Sequence, residues 1–373
     1  MAARKANPFV VAGALRLEDM IDRDREAADL LSLAQGGQPF RVVGPRRYGK
    51  TSLLSRVLDD AEAAGMATAL VDLEGVLSLE GIVVRLEGAY ERRLKGGLRH
   101  TVDRILRAWD IGVALGGGGF TARLQASPNL HVEGVLQRVL ALPETIHERT
   151  GKRSLIVFDE VQDLLRVERA AGAVRSVIQH HGDAAVYGFA GSAPSLMSRL
   201  FEDPSQPLLE HAMPTELGPL PLDAVGDYIE QRFERSGRDS GSALTPLIEF
   251  TRGHPQRTML LAHHLWRLSP PGGTADESTW HDALAAALAQ TEPTLRVRWE
   301  ALPLNEQRLA QALATSSHSL YDERTYRPVG LKKGSIEKAL SGLIGRGEAT
   351  QRDSHVRLTD PLFEQWLKAK GAW

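Results

Sequence analysis

The chain has 373 residues, 42% of them hydrophobic, with 45 Lys plus Arg set against 47 Asp plus Glu. That length supports two or three domains with a sizeable core, and the balanced charge excludes a global field for nucleic acid or an anionic membrane. The absence of cysteine excludes disulfides, thiolate zinc sites and cysteine catalysis, and fits a reducing cytoplasm.

The N-terminus "MAARKANPFVVAGALRLEDM" has a basic start and a short apolar patch, but Pro8 and the acidic run after Leu17 make a poor signal peptide. Apolar stretches such as "SLIVF" and "DIGVALGGGGF" fall short of the roughly 18 residues a membrane span needs, so none is expected. "PFRVVG" reads as a buried strand, and "KTSLLSRVLDDAEAAG" places Leu53, Leu54, Val57 and Leu58 on one helical face ending at Gly65. Between them lies "GPRRYGKT", the G-x-x-x-x-G-K-[ST] pattern in its required strand-loop-helix setting.

In that setting Gly44 and Gly49 let backbone N–H groups close around phosphate oxygens, aided by the positive end of the helix. Lys50 would reach the β and γ phosphates, and the Thr51 hydroxyl would ligate Mg²⁺. The whole stretch Gly44, Pro45, Arg46, Arg47, Tyr48, Gly49, Lys50, Thr51 and Ser52 is therefore expected to bind ATP with Mg²⁺.

"TALVDLEG" reads as a further strand, and the four glycines of "ALGGGGFTARL" as a flexible hairpin or loop, since no lysine or serine follows in register. In "KRSLIVFDEVQDLL", Leu155 to Phe158 form the continuous apolar run of a parallel strand buried on both faces. Asp159 would hold Mg²⁺ through its water shell, and Glu160 would polarise the attacking water as general base. A third strand, "AAVYGFAGSAPSLM", carries Ser192 at its carboxyl end, where ligands sit in open α/β sheets. Ser192 is read either as a phosphate sensor with a catalytic role or as a cap for the helix at "PSLMSRLF".

From about Leu220 the pattern turns helical through "PLDAVGDYIEQRFERSG", "ALTPLIEFTRG", "HPQRTMLLAHHLWRL" and "STWHDALAAALAQ". This suits a small helical lid, in which His254, His263 and His264 read as helix surface or core rather than metal ligands. From near Trp299, the amphipathic helices "LNEQRLAQALAT" and "KKGSIEKALSGLIGRGEA" precede two short strands, "ATQR" and "HVRL". Helices followed by a hairpin fit a winged helix-turn-helix. From Ala301 onward there are 11 Lys plus Arg and 8 Asp plus Glu. Lys332, Lys333, Lys338 and Arg346 around the candidate recognition helix, with Arg352 and Arg357 in the wing, could touch the phosphates of double-stranded DNA. Such a module equally serves protein interaction or autoinhibition.

With these elements in order, the chain resembles the archaeal-type ATPases of the STAND branch of AAA+ P-loop NTPases. "MIDRDREAADLLSLAQ" looks like the box preceding the loop, with Ile21, Arg23 and Glu26 in characteristic positions, and "FDEVQDL" is similar to the family's acidic motif. "TRGHPQRTMLLAHHLW" resembles its glycine-x-proline lid segment, here Gly253 and Pro255, and "RLTDPLFEQWL" its closing aspartate-proline segment. The resemblance implies an α/β P-loop core over residues 1–219, a helical lid over 220–295 and a C-terminal winged-helix domain over 296–373. It also implies that Arg23 belongs to the nucleotide site, that Pro255 contacts the adenine and that Arg257 reaches the phosphates. Where members carry a "PLYGR"-like stretch, this chain has "PLLEH", with His211 in the arginine place and Arg199, Arg232 and Arg235 as nearby alternatives.

The implied activity is that of a cytoplasmic ATP-dependent switch that hydrolyses ATP, slowly without a partner. The alternative is a DNA-binding regulator or mobile-element accessory protein whose assembly on DNA is governed by ATP. A protein partner or homo-oligomer is compatible with either.

Overall fold

The computed structural model describes residues 6–13, 15–94, 99–100, 102, 132–352 and 355–371. The four-glycine stretch expected to form a loop lies outside the described residues. Contacts divide the chain into two compact units, one made of residues 23–43 and 50–216 and the other of residues up to 22, 44–49 and from 217 onward.

The first unit is built on a five-stranded sheet of β1 (Phe40–Val43), β2 (Ala67–Asp72), β3 (Ser154–Asp159), β4 (Ala185–Gly191) and β5 (Met213–Glu216), in the order β2-β3-β4-β1-β5. Every neighbouring pair is parallel. All residues of β3 and β4 are buried, the outcome their unbroken apolar runs call for when helices cover both faces. Register aligns Asp72 with Asp159 and Val43 with Gly191, so the carboxyl ends of β1 to β4 form one edge. Helix α1 (Asp24–Gln35) precedes β1, and between the strands run α2 (Lys50–Ala63), α3 (Leu79–Arg93), α4 (Val132–Leu140), α5 (Leu142–Thr150), α6 (Ala170–Ile178) and α7 (Pro194–Glu202). Ser78 caps α3 by accepting from Gly81 N at 3.2 Å, and Gly151 ends α5 in left-handed backbone.

The second unit contains α8 (Leu222–Arg235), α9 (Leu244–Thr251), α10 (Pro255–Leu268), α11 (Glu277–Glu300), α12 (Leu304–Thr315), the short α13 (Glu323–Tyr326), α14 (Lys333–Gly345) and α15 (Pro361–Lys370). Its antiparallel hairpin pairs β6 (Ala349–Arg352) with β7 (His355–Leu358). Helix α11 starts at a capping box between Asp276 and Thr279 and runs on through Pro293. One apolar cluster joins these helices, from Phe9 and Phe233 through Trp280 and Trp299 to Phe363.

Candidate nucleotide site

In the first unit, helix α2 begins at Lys50, which puts this side chain and the N–H groups of the first turn at the same end of the helix. Lys50 is buried, as is Ser52, while Thr51 is exposed. The Thr51 hydroxyl donates to Asp159 Oδ2 at 2.8 Å, joining the loop's helix to the end of β3 although β4 and β1 order the sheet differently. Asp159 is 5% exposed. Burial raises its carboxyl above the ordinary range, and neighbouring Glu160 adds to the rise, while the Thr51 hydrogen bond and the charge of Lys50 oppose it. A hydroxyl and a buried carboxylate converging this closely form the hard-oxygen pair that suits Mg²⁺.

Glu160 takes a left-handed backbone, φ +50°, at the end of the strand. Its Oε2 accepts from Ser192 Oγ at 2.7 Å and from the amide of Gln162. The structure thus brings together Lys50, Thr51, Asp159, Glu160 and Ser192, and adds Gln162, to which the sequence reading gave no role. The glutamine was visible in "DEVQDL", but no spacing rule predicts that a residue two positions on turns back to the glutamate. Ser192 makes its hydrogen bond to Glu160, and Ala193, not Ser192, stands at the N-cap of α7, without a side-chain hydrogen bond. In the same unit Arg23, itself at φ +79°, is buried and pairs with Glu26 at 2.6 Å.

Residues 44–49 group with the second unit. Gly44 packs so near Leu217 that a Cβ would stand 3.0 Å from its carbonyl oxygen, and both Arg47 (φ +68°) and Gly49 (φ +83°) adopt left-handed backbone. Tyr48 is buried edge-on against the His254 ring, with centroids 4.9 Å apart. Arg46 and Arg47 are exposed. Partial desolvation, with the charge of Arg257, pushes the Arg47 guanidinium below its usual value. Pro45 and Tyr48 line a half-open pocket with Gly218, Pro219, His254, and Arg357 from the hairpin.

His254 precedes α10, whose first residue is Pro255, and its Nδ1 accepts from Arg257 N at 3.3 Å. Burial pushes the His254 imidazole down to about 4, so it is neutral at physiological pH. Arg257 has no exposed surface. The sequence reading sends it to the phosphates, whereas its Nε and Nη2 donate to the two oxygens of Asp360 at 2.8 and 2.5 Å. Asp360 also accepts from Arg298 at 2.6 Å and caps α15 through Leu362 N and Phe363 N. Burial alone would raise this carboxyl, yet Arg257 and Arg298 hold it well below the ordinary carboxylate range. Arg298 continues the network to Glu348.

Among the residues assigned to DNA, Lys332, Lys333 and Lys338 are exposed along α14, with no ion pair among the described residues. Arg346 is engaged by Glu306 at 3.0 Å, Arg357 lines the pocket beside Tyr48, and the Arg352 side chain lies outside the described residues. His211 does not reproduce an arginine's charge: burial and the charge of Arg175 push its imidazole down to about 4. Of the alternatives, Arg232 is paired with Asp19 at 3.2 Å. No described helix is long and apolar enough to cross a membrane.

No protein-family profile matches the chain, and no curated protein matches it in sequence. Among solved structures it is similar to a Walker-type ATPase of Pyrococcus abyssi, at 16% identity and a TM-score of 0.70, over 97% of this chain and 99% of that one. It is also similar to the ORC2 protein of Aeropyrum pernix in its ADPNP and ADP complexes, at 15% identity and a TM-score of 0.56, over 97% and 96% of the two chains. At such identities the likeness speaks to architecture. The parallel sheet with its flanking helices has the P-loop NTPase fold of the AAA+ type.

Proposed function

We propose that the protein is a Mg²⁺-dependent ATPase acting as a STAND-type switch, in which nucleotide state governs the lid and a C-terminal winged helix. The observation that carries this reading is the Thr51–Asp159 hydrogen bond at the N-terminus of α2, with Lys50 beside it and Glu160 next in sequence. Lys50 would neutralise the β and γ phosphates, and backbone N–H groups of Gly44 to Ser52 would enclose them. Thr51 and Asp159 would hold Mg²⁺, which when bound supplies positive charge to the phosphoryl group in transfer. Glu160 would orient the attacking water, and Ser192 would meet the terminal phosphate.

Arg23 and Pro255 remain assigned to the nucleotide. Arg257 acts in this reading as the link between α10 and the closing helix α15, through Asp360. Residues 1–219, 220–295 and 296–373 are read as core, lid and winged helix.

A second reading, a DNA-binding regulator whose assembly is governed by ATP, is favoured by exposed Lys332 at the start of α14 and Lys333 and Lys338 along it, which make no ion pair among the described residues. One set of measurements separates the two. Lys50→Ala should weaken ATP binding by about 100-fold, roughly 2.7 kcal/mol, in a calorimetric titration. Unchanged affinity and turnover would refute the ATPase assignment. Duplex DNA titrated at two salt concentrations should show affinity falling steeply with salt if the lysines meet phosphates. Binding that is absent or indifferent to salt leaves a protein partner or a second copy of the chain as the switch's target.

A further inference from the structure

Two donors converge on a single oxygen of Glu160. The residue follows β3 at φ +50°, a left-handed conformation that costs a non-glycine residue about 1–2 kcal/mol. Its Oε2 accepts from both Ser192 Oγ and Gln162 Nε2. Gln162 is itself 5% exposed, and its Oε1 has no partner among the described residues. Space for this amide exists because residue 191 is glycine: a Cβ there would stand 2.4 Å from Gln162 Oε1 and 2.2 Å from Met197 Sδ.

We propose that Gln162 is a positioning residue for ATP hydrolysis, tethering Glu160 by Oε2 so that Oε1 is the oxygen presented to the attacking water. The inference rests on the ATPase reading above. The two donors are not equivalent. Serine has one O–H and can give it to Glu160 or to a phosphate oxygen, but not to both. When a terminal phosphate claims Ser192, the Gln162 amide is the tether that stays. Being an amide, it donates at every pH at which the protein is folded. The base is thereby held still at the moment its partner changes, which is the condition for a near-attack geometry.

The test compares steady-state ATP turnover and ADP affinity in wild type, Lys50→Ala, Gln162→Ala and Gln162→Met, with melting temperature as a check on folding. Methionine keeps roughly the length and bulk of glutamine and removes the amide, whose Oε1 has no partner among the described residues, so the lost hydrogen bond is the one donated to Glu160. Both Gln162 variants should lose between about 10- and 100-fold in kcat, with KM and ADP affinity within about twofold of wild type. Wild-type kcat in Gln162→Met would reduce the residue to packing and overturn the proposal, as would a loss of ADP affinity equal to the loss of kcat. If wild-type turnover does not depend on Lys50, the ATPase reading falls and takes this inference with it. If turnover depends on Lys50 but both Gln162 variants match wild type, only the positioning role falls.

Discussion

The two units each place a carboxylate at a chain turn, and they treat it in opposite ways. Asp360 is saturated: two arginines and two backbone N–H groups fill its lone pairs, and the arginines hold it ionised. Asp159 accepts from one hydroxyl and one backbone N–H, and Glu160 from one hydroxyl and one side-chain amide, so that no arginine among the described residues pairs with either and the hydroxyls can exchange partners when a ligand arrives. Charge burial that is fully compensated fixes a structure, whereas charge burial that is partly compensated stays available for chemistry.

The contrast can be broken at its stronger end. Asp360→Ala should cost about 3–5 kcal/mol, because Arg257 and Arg298 are left as buried charges without their carboxylate, and chemical denaturation would read the loss. A change under 1 kcal/mol would mean that the network is not what holds α15.

A carboxylate with neither kind of support sharpens the comparison. Glu87, on α3, has a buried Oε1 with no partner among the described residues. Burial, reinforced by Glu91, pushes it from 4.5 up to about 7. Between those values the folded chain binds more protons than the unfolded one, so stability present below about pH 4.5 is lost as pH rises to about 7. Glu87→Gln should therefore gain about 1–3 kcal/mol at pH 8 and lose that advantage toward pH 4.5 in melting curves. A pH-independent difference would show that Glu87 stays ionised in the folded protein.

The smallest effect is expected at the exchangeable end. Ser192→Ala should change stability by about 1 kcal/mol, since Gln162 still satisfies Glu160. A loss as large as that of Asp360→Ala would place Ser192 among the fixed supports instead.

The P-loop, β1, β3, β4 and α2 were legible because each follows a local rule: continuous apolar runs, helical spacing, or glycines at a phosphate turn. The hairpin strands "ATQR" and "HVRL" were legible as two short segments flanking the turn residues "DS". Strand β5 was not, since Met213–Glu216 is a largely exposed edge strand containing Pro214 and lacks an apolar face. Helix α11 passes through Pro293, where local propensity favours a stop and packing of Leu295 and Trp299 carries the helix onward. At the candidate site, the motif residues could be read from spacing, but the partner of Arg257 lies 103 positions away in sequence. No periodicity encodes a pairing at that range.

Asp360 has a consequence for the kind of motion this protein can make. One carboxylate serves Arg257 on α10, Arg298 on α11 and the first turn of α15, so these contacts cannot loosen one at a time without leaving a buried charge unmatched. The closing helix is therefore fastened by these contacts jointly rather than by any one of them. A fastening that shares one carboxylate is kept whole or lost whole.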